Sequence, residues 1–308
     1  MFLIYYKKMA KTKFEKIKKQ VYANTNKRSV KKATRPVEKL QGATLTFSHS
    51  VENHIGNQQI GKMSDSDAVS VKELKKAVER IKESYPEADV EVKNLNEFLP
   101  EDLQSSVEAG VLLFRGGVDV ILNKYNKTAK NVLEEQNTLQ KDKKFFSTRM
   151  QRVLNKHARH NLCFDDYDQQ PEYEKGKGTV VNFKRLPVTS MIRTELGELF
   201  GEKATNLKAE GNYYYDLNKT GIGFHGDTER RDVYGVRLGA GFPLHYQWFQ
   251  YQKPIGERCV LELGEGDIYV MSEKAVGFDW LKSKDGLLTL RHAAGSAKYT
   301  TIKQINKN

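Results

Sequence analysis

The amino-acid sequence predicts an α+β protein: helices flank a C-terminal β-structure that closes as a sandwich or barrel. Two observations carry this expectation. From about residue 206 the chain becomes a series of short aromatic or β-branched runs separated by Gly, Asp or Lys turns. Upstream, at least two stretches repeat their apolar residues at helical rather than strand spacing. No internal repeat of roughly 20–50 residues is visible, which argues against a solenoid or propeller.

Element by element, the chain opens with a basic segment. Residues 1–40 carry 13 Lys/Arg and 2 Asp/Glu, whereas the remaining 268 residues hold 38 basic and 37 acidic side chains. The net charge of +12 is therefore a property of the tail. A Lys-rich arm of this kind is expected to be solvated and disordered, and is a candidate for binding phosphate backbones. The next stretch, TLTFSHSVENHIGNQQIGKMSD, reads as irregular or short-stranded. Ser70 followed by Glu73 forms a capping box, and Val71, Leu74, Ala77, Val78 and Ile81 share one face, predicting an amphipathic helix that stops before Pro86. ADVEV and AGVLLFRGGV read as strands, residues 128–141 as a helix, CFDDYDQQPEYEKGKGTV as a loop, and SMIRTELGELFG as a helix packed on a sheet. Seven strands follow: NLKAEGNYYYDL, GIGFHGD, VYGVRLG, PLHYQWFQY, RCVLELGEGDIYVMSE, LLTLRHAAG and AKYTTIK. The expected division is a tail (1–42), an α/β region packing on or extending the barrel (43–185), and a β-rich core (186–308).

Composition excludes several classes. Two cysteines without a CxxC, Cys163 and Cys259, make neither a disulfide scaffold nor a thiolate zinc site. No run approaches the roughly 18 apolar residues of a membrane span, and the opening MFLIYYKK is too short for a secretory signal, so a soluble intracellular protein is expected.

Of seven histidines, His225 stands apart because Asp227 follows two residues later. On an extended strand both side chains leave by the same face. An imidazole and a carboxylate placed so supply two of the three ligands of a facial triad, leaving the opposite metal positions open. The third ligand must come from another strand: His292, in an apolar strand that can return beside the first, is preferred, and His245 is the alternative.

Asn212-Tyr-Tyr-Tyr215, Gly221-Ile-Gly-Phe-His225-Gly-Asp227 and Gly266-Asp-Ile-Tyr-Val-Met271 together resemble the AlkB-like 2-oxoglutarate/Fe(II) dioxygenases. In that family an N-x-Y-x-D segment leads into an I-G-x-H-x-D strand, and a later strand opens with G-D. The resemblance spans residues 190–303. It implies a double-stranded β-helix (jelly-roll) core and an Fe(II) ion held by His225, Asp227 and His292. It also implies 2-oxoglutarate as co-substrate, contacted by Tyr215 and anchored by Lys298 with help from Thr300, and dioxygen as the oxidant. The activity implied is C–H hydroxylation or oxidative demethylation, with a nucleic-acid base among the substrates. The spacing from the G-D strand to His292 departs from the AlkB-like pattern and is closer to the wider superfamily, which includes protein hydroxylases. Arg230, Arg231, Tyr246 and Trp248 are candidate substrate contacts; otherwise the aromatics are core and the arginines pair with acids such as Glu229 and Asp232. Three functional classes follow: an oxygenase of nucleic acid, an oxygenase of a protein side chain or small molecule, and a non-catalytic β-barrel binding module.

Overall fold

A computed structural model of the chain describes residues 39–302. The basic tail expected over residues 1–42 lies outside the described residues except for its last four. No helix among the described residues is long and apolar enough to cross a membrane.

The chain is a mixed α and β structure built on two sheets. The larger has eight strands, in the order β4 (Val90–Asn94), β5 (Gly110–Phe114), β15 (Ile268–Met271), β12 (Val233–Gly239), β1 (Gly42–Ser48), β10 (Lys208–Tyr214), β8 (His160–Asp165) and β9 (Val180–Asn182). The smaller has four, β11 (Gly221–His225), β16 (Thr289–Gly295), β13 (Leu244–Gln250) and β14 (Lys253–Leu261). Two short hairpins, β2–β3 (Ser50–Glu52 and Gln59–Gly61) and β6–β7 (Lys144–Ser147 and Arg152–Asn155), complete the strands.

The two faces of the large sheet are sorted by side-chain parity. On β1, Ala43, Leu45 and Phe47 enter one apolar core, together with Ala209 and Tyr213 of β10 and Val236 and Leu238 of β12. Helices cover that face: α1 (Val71–Ser84), α2 (Gly117–Leu122), α3 (Ala129–Asn137) and α4 (Pro187–Phe200). The intervening residues Thr44, Thr46, Glu210, Asn212, Tyr214, Arg237 and Tyr269 face the small sheet across a cavity. Beside that cavity a second core joins the sheets through Tyr214, Val233, Tyr269 and Met271 on one side and Leu244, Tyr246, Trp248 and Leu290 on the other.

Helix α1 starts as its capping box requires. Ser70 Oγ accepts from the Glu73 amide at 3.2 Å and Glu73 accepts from the Ser70 amide at 2.8 Å. Three segments depart from expectation. The stretch around TLTFSHS is a seven-residue strand, β1, hydrogen-bonded between β10 and β12. Its alternation of Thr with Leu and Phe looked weak because its polar face meets an internal cavity rather than solvent. β1 and β8 thus sit within the same sheet as β10 and β12. Cys163 to Asp165, expected in a loop, end the buried strand β8. AKYTTIK is not a strand: Gly295 at φ +97° turns the chain into a short helix, α6 (Ala297–Thr300), with Tyr299 packed beside Gly221.

Candidate metal centre and cavity

His225 and His292 are directly opposite each other in the antiparallel β11–β16 pair. Cross-strand partners hold their Cβ atoms about 4.5–5.5 Å apart, so this register alone brings the two imidazoles together; their ring centroids are 4.4 Å apart. Asp227 follows just past the end of β11. Its Oδ1 lies 3.3 Å from His225 Nε2 and its Oδ2 3.8 Å from His292 Nε2. One donor atom from each of the three residues lies within 4.8 Å of the others, the one such group among the described residues.

The register also separates the two candidate third ligands by face. On β13, Tyr246 is opposite His292 while His245 is opposite Ala293. Successive residues on a strand point to opposite faces, so His245 leaves the far face of the sheet.

The turn carrying Asp227 is held by backbone packing. The Asp227 amide donates at 3.1 Å to the carbonyl of Val276, the last residue of the short helix α5 (Glu273–Val276). Gly226 faces Gly277, which adopts φ +76°. A Cβ at 226 would collide with the Gly277 carbonyl, and one at 277 would lie 2.8 Å from the Gly226 Cα.

Charge states at the centre suit metal ligation. Burial and the neighbouring His225 push His292 down to about 4, against the pull of Asp227. Near neutral pH its ring is therefore uncharged and offers a lone pair. Burial alone would raise the Asp227 carboxyl, but Arg230, His292 and His225 outweigh it and hold it well below the usual carboxylate range. His225 Nδ1 lies 2.7 Å from the Gly223 carbonyl; a proton donated there leaves the Nε2 lone pair free on the side facing Asp227.

These residues line one side of a cavity of about 960 Å³ between the two sheets. The opposite side carries Arg237, 1% exposed. Its guanidinium donates to Thr44 Oγ1 at 2.7 Å and lies 3.5 Å from the Phe242 ring centroid, while its Nε has no partner. It forms no ion pair within the described residues: the nearby carboxylate of Asp267 is engaged by Arg115 at 2.8 Å. Burial lowers the Arg237 pKa, and Tyr269, Tyr214 and Asp267 work against that shift. A buried cation without a counter-charge is costly, and this one faces a cavity shared with Asn212, Tyr214 and Tyr269. Arg159 Nε donates to Asn212 Oδ1 on the same side.

Several predicted site residues lie elsewhere. Lys298 is exposed on α6, its ammonium 5.4 Å from the Tyr299 ring, and does not reach the cavity. Thr300 is buried in the same helix, off the cavity lining. Both were assigned on the expectation of a strand, whose alternation fails once the segment is helical. Tyr215 follows β10 and turns outward: its hydroxyl donates to the His157 carbonyl at 2.8 Å and its ring stacks on His160. Tyr214 lines the cavity instead. The N-x-Y-x-D spacing counted from Asn212 falls on Tyr214 and Asp216.

Among the candidate substrate contacts, Trp248 is core, its indole N–H donating to the Leu95 carbonyl at 2.8 Å. Tyr246 is buried with its ring centroid 6.2 Å from that of His292. Arg231 is tied to Asp65 at 2.8 Å and to Glu273, and stacks on Phe278. Arg230 reaches the cavity, but its guanidinium is shared by Glu229 at 2.7 Å, Glu210 at 3.1 Å and Asp227 at 3.7 Å. Asp232 pairs with His49 instead, at 2.9 Å. The cavity residues that sequence reasoning missed, Thr44, Arg237 and Tyr269, come from three strands far apart in sequence; no local motif marks Thr44 or Arg237, and Tyr269 falls within the Gly266–Met271 run without a role attached to it.

No family model matches the sequence. An uncharacterized protein of Acanthamoeba polyphaga mimivirus is 43% identical over 259 residues, which cover 83% of this chain and 96% of that protein. With that identity carried over nearly the whole length of the relative, the chain belongs to the same protein family as this uncharacterized mimivirus protein.

Proposed function

We propose that the protein is a 2-oxoglutarate- and Fe(II)-dependent dioxygenase that catalyses C–H hydroxylation or oxidative demethylation, with the two facing sheets forming a double-stranded β-helix core. The observation that carries the reading is the His225–Asp227–His292 group itself. Two imidazoles and an ionised carboxylate converge from one direction, which is the donor set that suits non-haem Fe(II) with open positions opposite. The donor chemistry fits: His292 is neutral, Asp227 is charged, and the His225 tautomer is set by the Gly223 carbonyl.

Iron bound there would supply activation of dioxygen coupled to oxidative decarboxylation of 2-oxoglutarate. The chain's own part is to bind, orient and exclude water. Arg237 replaces Lys298 as the anchor for the far carboxylate, since a buried guanidinium offers a planar fork of donors matched to a carboxylate. Tyr214 replaces Tyr215 and Asn212 joins it as a polar contact on the same side. Arg230 acts one step back: it compensates Asp227, Glu229 and Glu210, so the ligand carboxylate stays ionised within a buried site.

The test is Fe(II)-dependent succinate formation by the wild type and by the His225→Ala and Asp227→Ala variants. Both variants are expected to fold, as judged by circular dichroism and melting, and to lose turnover. Normal succinate production by either would remove the metal assignment. A wild type that never turns over 2-oxoglutarate would favour the non-catalytic binding module.

A further inference from the structure

The small sheet has a second face, turned away from the cavity, and strand parity gives its composition. On β13, Tyr246 and Trp248 enter the inner core, so His245, Gln247 and Phe249 leave by the outer face. On β16, Leu290 and His292 point inward, so Arg291 and Ala293 point outward, with Arg291 directly opposite Gln247. On β14, Cys259 and Leu261 are core, so Arg258 and Val260 are outward, with Val260 opposite His245. Two guanidiniums and an imidazole therefore share one face of three neighbouring strands.

None of the three has an anionic partner among the described residues. Arg291 is 9% exposed; one of its Nη atoms donates to Gln252 Oε1 at 2.7 Å, and its buried Nε has no partner. Arg258 is half-buried and makes no side-chain hydrogen bond or ion pair among the described residues. His245 Nδ1 is buried and likewise unpartnered, and burial together with the nearby Arg258 lowers the His245 pKa. What supports the guanidiniums is aromatic. Arg291 lies over Phe249 at 4.0 Å and Trp280 at 5.0 Å, and Arg258 over Phe224 at 5.0 Å. The Phe224 and Phe249 ring centroids are 6.3 Å apart, so the two cations stand on adjoining rings. A guanidinium over a ring gains attraction without spending its N–H donors, whereas a buried cation with no counter-charge is costly. Val260, 46% exposed, leaves the face open on the β14 side.

We infer that the outer face of the small sheet is a second ligand site, which holds a phosphoryl oxyanion between Arg258 and Arg291 with His245 beside it. A dianion suits two guanidiniums, each offering a fork of N–H donors to its oxygens; a single carboxylate would leave one of them uncompensated. A second copy of the chain fits poorly, because two-fold packing on this face sets the same cations against each other. Phe224 and Arg291 directly precede His225 and His292 in sequence, so the anion lies one sheet thickness behind the candidate metal centre. The site rests on neither iron nor the oxygenase proposal, and binding is measured without either.

Trp280 supplies a local signal, since the other tryptophan, Trp248, is held in the core by the Leu95 carbonyl. Full-length, metal-free protein is titrated with inorganic phosphate against chloride at constant ionic strength, by tryptophan fluorescence and by calorimetry. Saturable binding with a Kd of about 1 mM or tighter is expected. Arg258→Gln and Arg291→Gln should each weaken it at least about tenfold, the worth of a charge-assisted contact. Arg258 is the less buried of the two, so its variant keeps the test valid if Arg291→Gln folds poorly. Glycerol phosphate titrated in parallel separates the sources: variant-sensitive binding of both supports a site for phosphate esters, and of inorganic phosphate alone a site for the free ion. No saturable binding of either would overturn the inference. So would binding unchanged in both variants, or lost in Arg237→Gln instead, which would move the anion to basic residues elsewhere. Acetate binding as tightly as phosphate would overturn the dianion assignment, and variant-sensitive binding of polyglutamate alone would replace the small ligand with an acidic polypeptide.

Discussion

The two sides of the cavity are built by opposite means. The ligand side needs little chain: His225 and Asp227 are two residues apart, and His292 joins them through the strand register of one antiparallel pair. The facing side gathers Thr44 from β1, Tyr214 from β10, Arg237 from β12 and Tyr269 from β15. There each residue owes its position to the order of strands in an eight-stranded sheet. A local arrangement can be read as a motif, whereas an arrangement set by strand order becomes visible only when the sheet is assembled.

That contrast breaks first at the candidate metal ligands, where the largest effect is expected. His292→Ala should weaken binding of Fe(II), or of Mn(II) or Co(II) as surrogates, by about a hundredfold or more, since even outer-shell substitutions cost about 10–100-fold. His245→Ala should leave it nearly unchanged, because His245 is on the far face of β13. Calorimetric titration of both variants checks the ranking, and the reverse order would show that register does not determine the third ligand.

On the facing side, Arg237→Gln is expected to weaken 2-oxoglutarate binding about ten- to a hundredfold, the worth of a charge-assisted contact of roughly 1.5–3 kcal/mol. Lys298→Ala should leave it unaltered. Dissociation constants measured beside melting temperatures separate lost binding from lost packing on Thr44 and Phe242. If Lys298 proves the sensitive position, the last segment must rearrange from helix to strand when the co-substrate binds.

The finest distinction lies between neighbouring tyrosines. Tyr214→Phe is expected to raise the half-saturating 2-oxoglutarate concentration by about two- to tenfold, in line with a neutral hydrogen bond of about 0.5–1.5 kcal/mol. Tyr215→Phe should change it less than twofold, since its hydroxyl serves the His157 carbonyl. Equal effects would mean that β10 parity does not govern access to the cavity.

These comparisons also mark how far the sequence was legible. The HxD pair was readable because strand geometry fixes a two-residue spacing, and the α1 boundary because a capping box is local chemistry. His292 was preferred on the same logic, with its strand partner unknown. The alternation that places Lys298 on a strand fails for a related reason: Gly295, with its positive φ, turns the strand into a helix. Arg237 carries no local mark at all. Nothing near VYGVRL distinguishes a cavity-facing arginine from an exposed one until β12 is seen beside β1 and β15.

The contact between Gly226 and Gly277 has a consequence for how this centre can change over time. Neither position tolerates a side chain while the other backbone stays in place, so the two glycines constrain each other although fifty residues of chain separate them. Homologous chains that keep His225, Asp227 and His292 should therefore carry small residues at both places, and a substitution at one should be tolerated only where the 273–286 segment has been remodelled. For the same reason the His225–Asp227 turn is not portable: grafted into another sheet without its opposing loop, it would bring the right donors and lose the backbone that holds them in place.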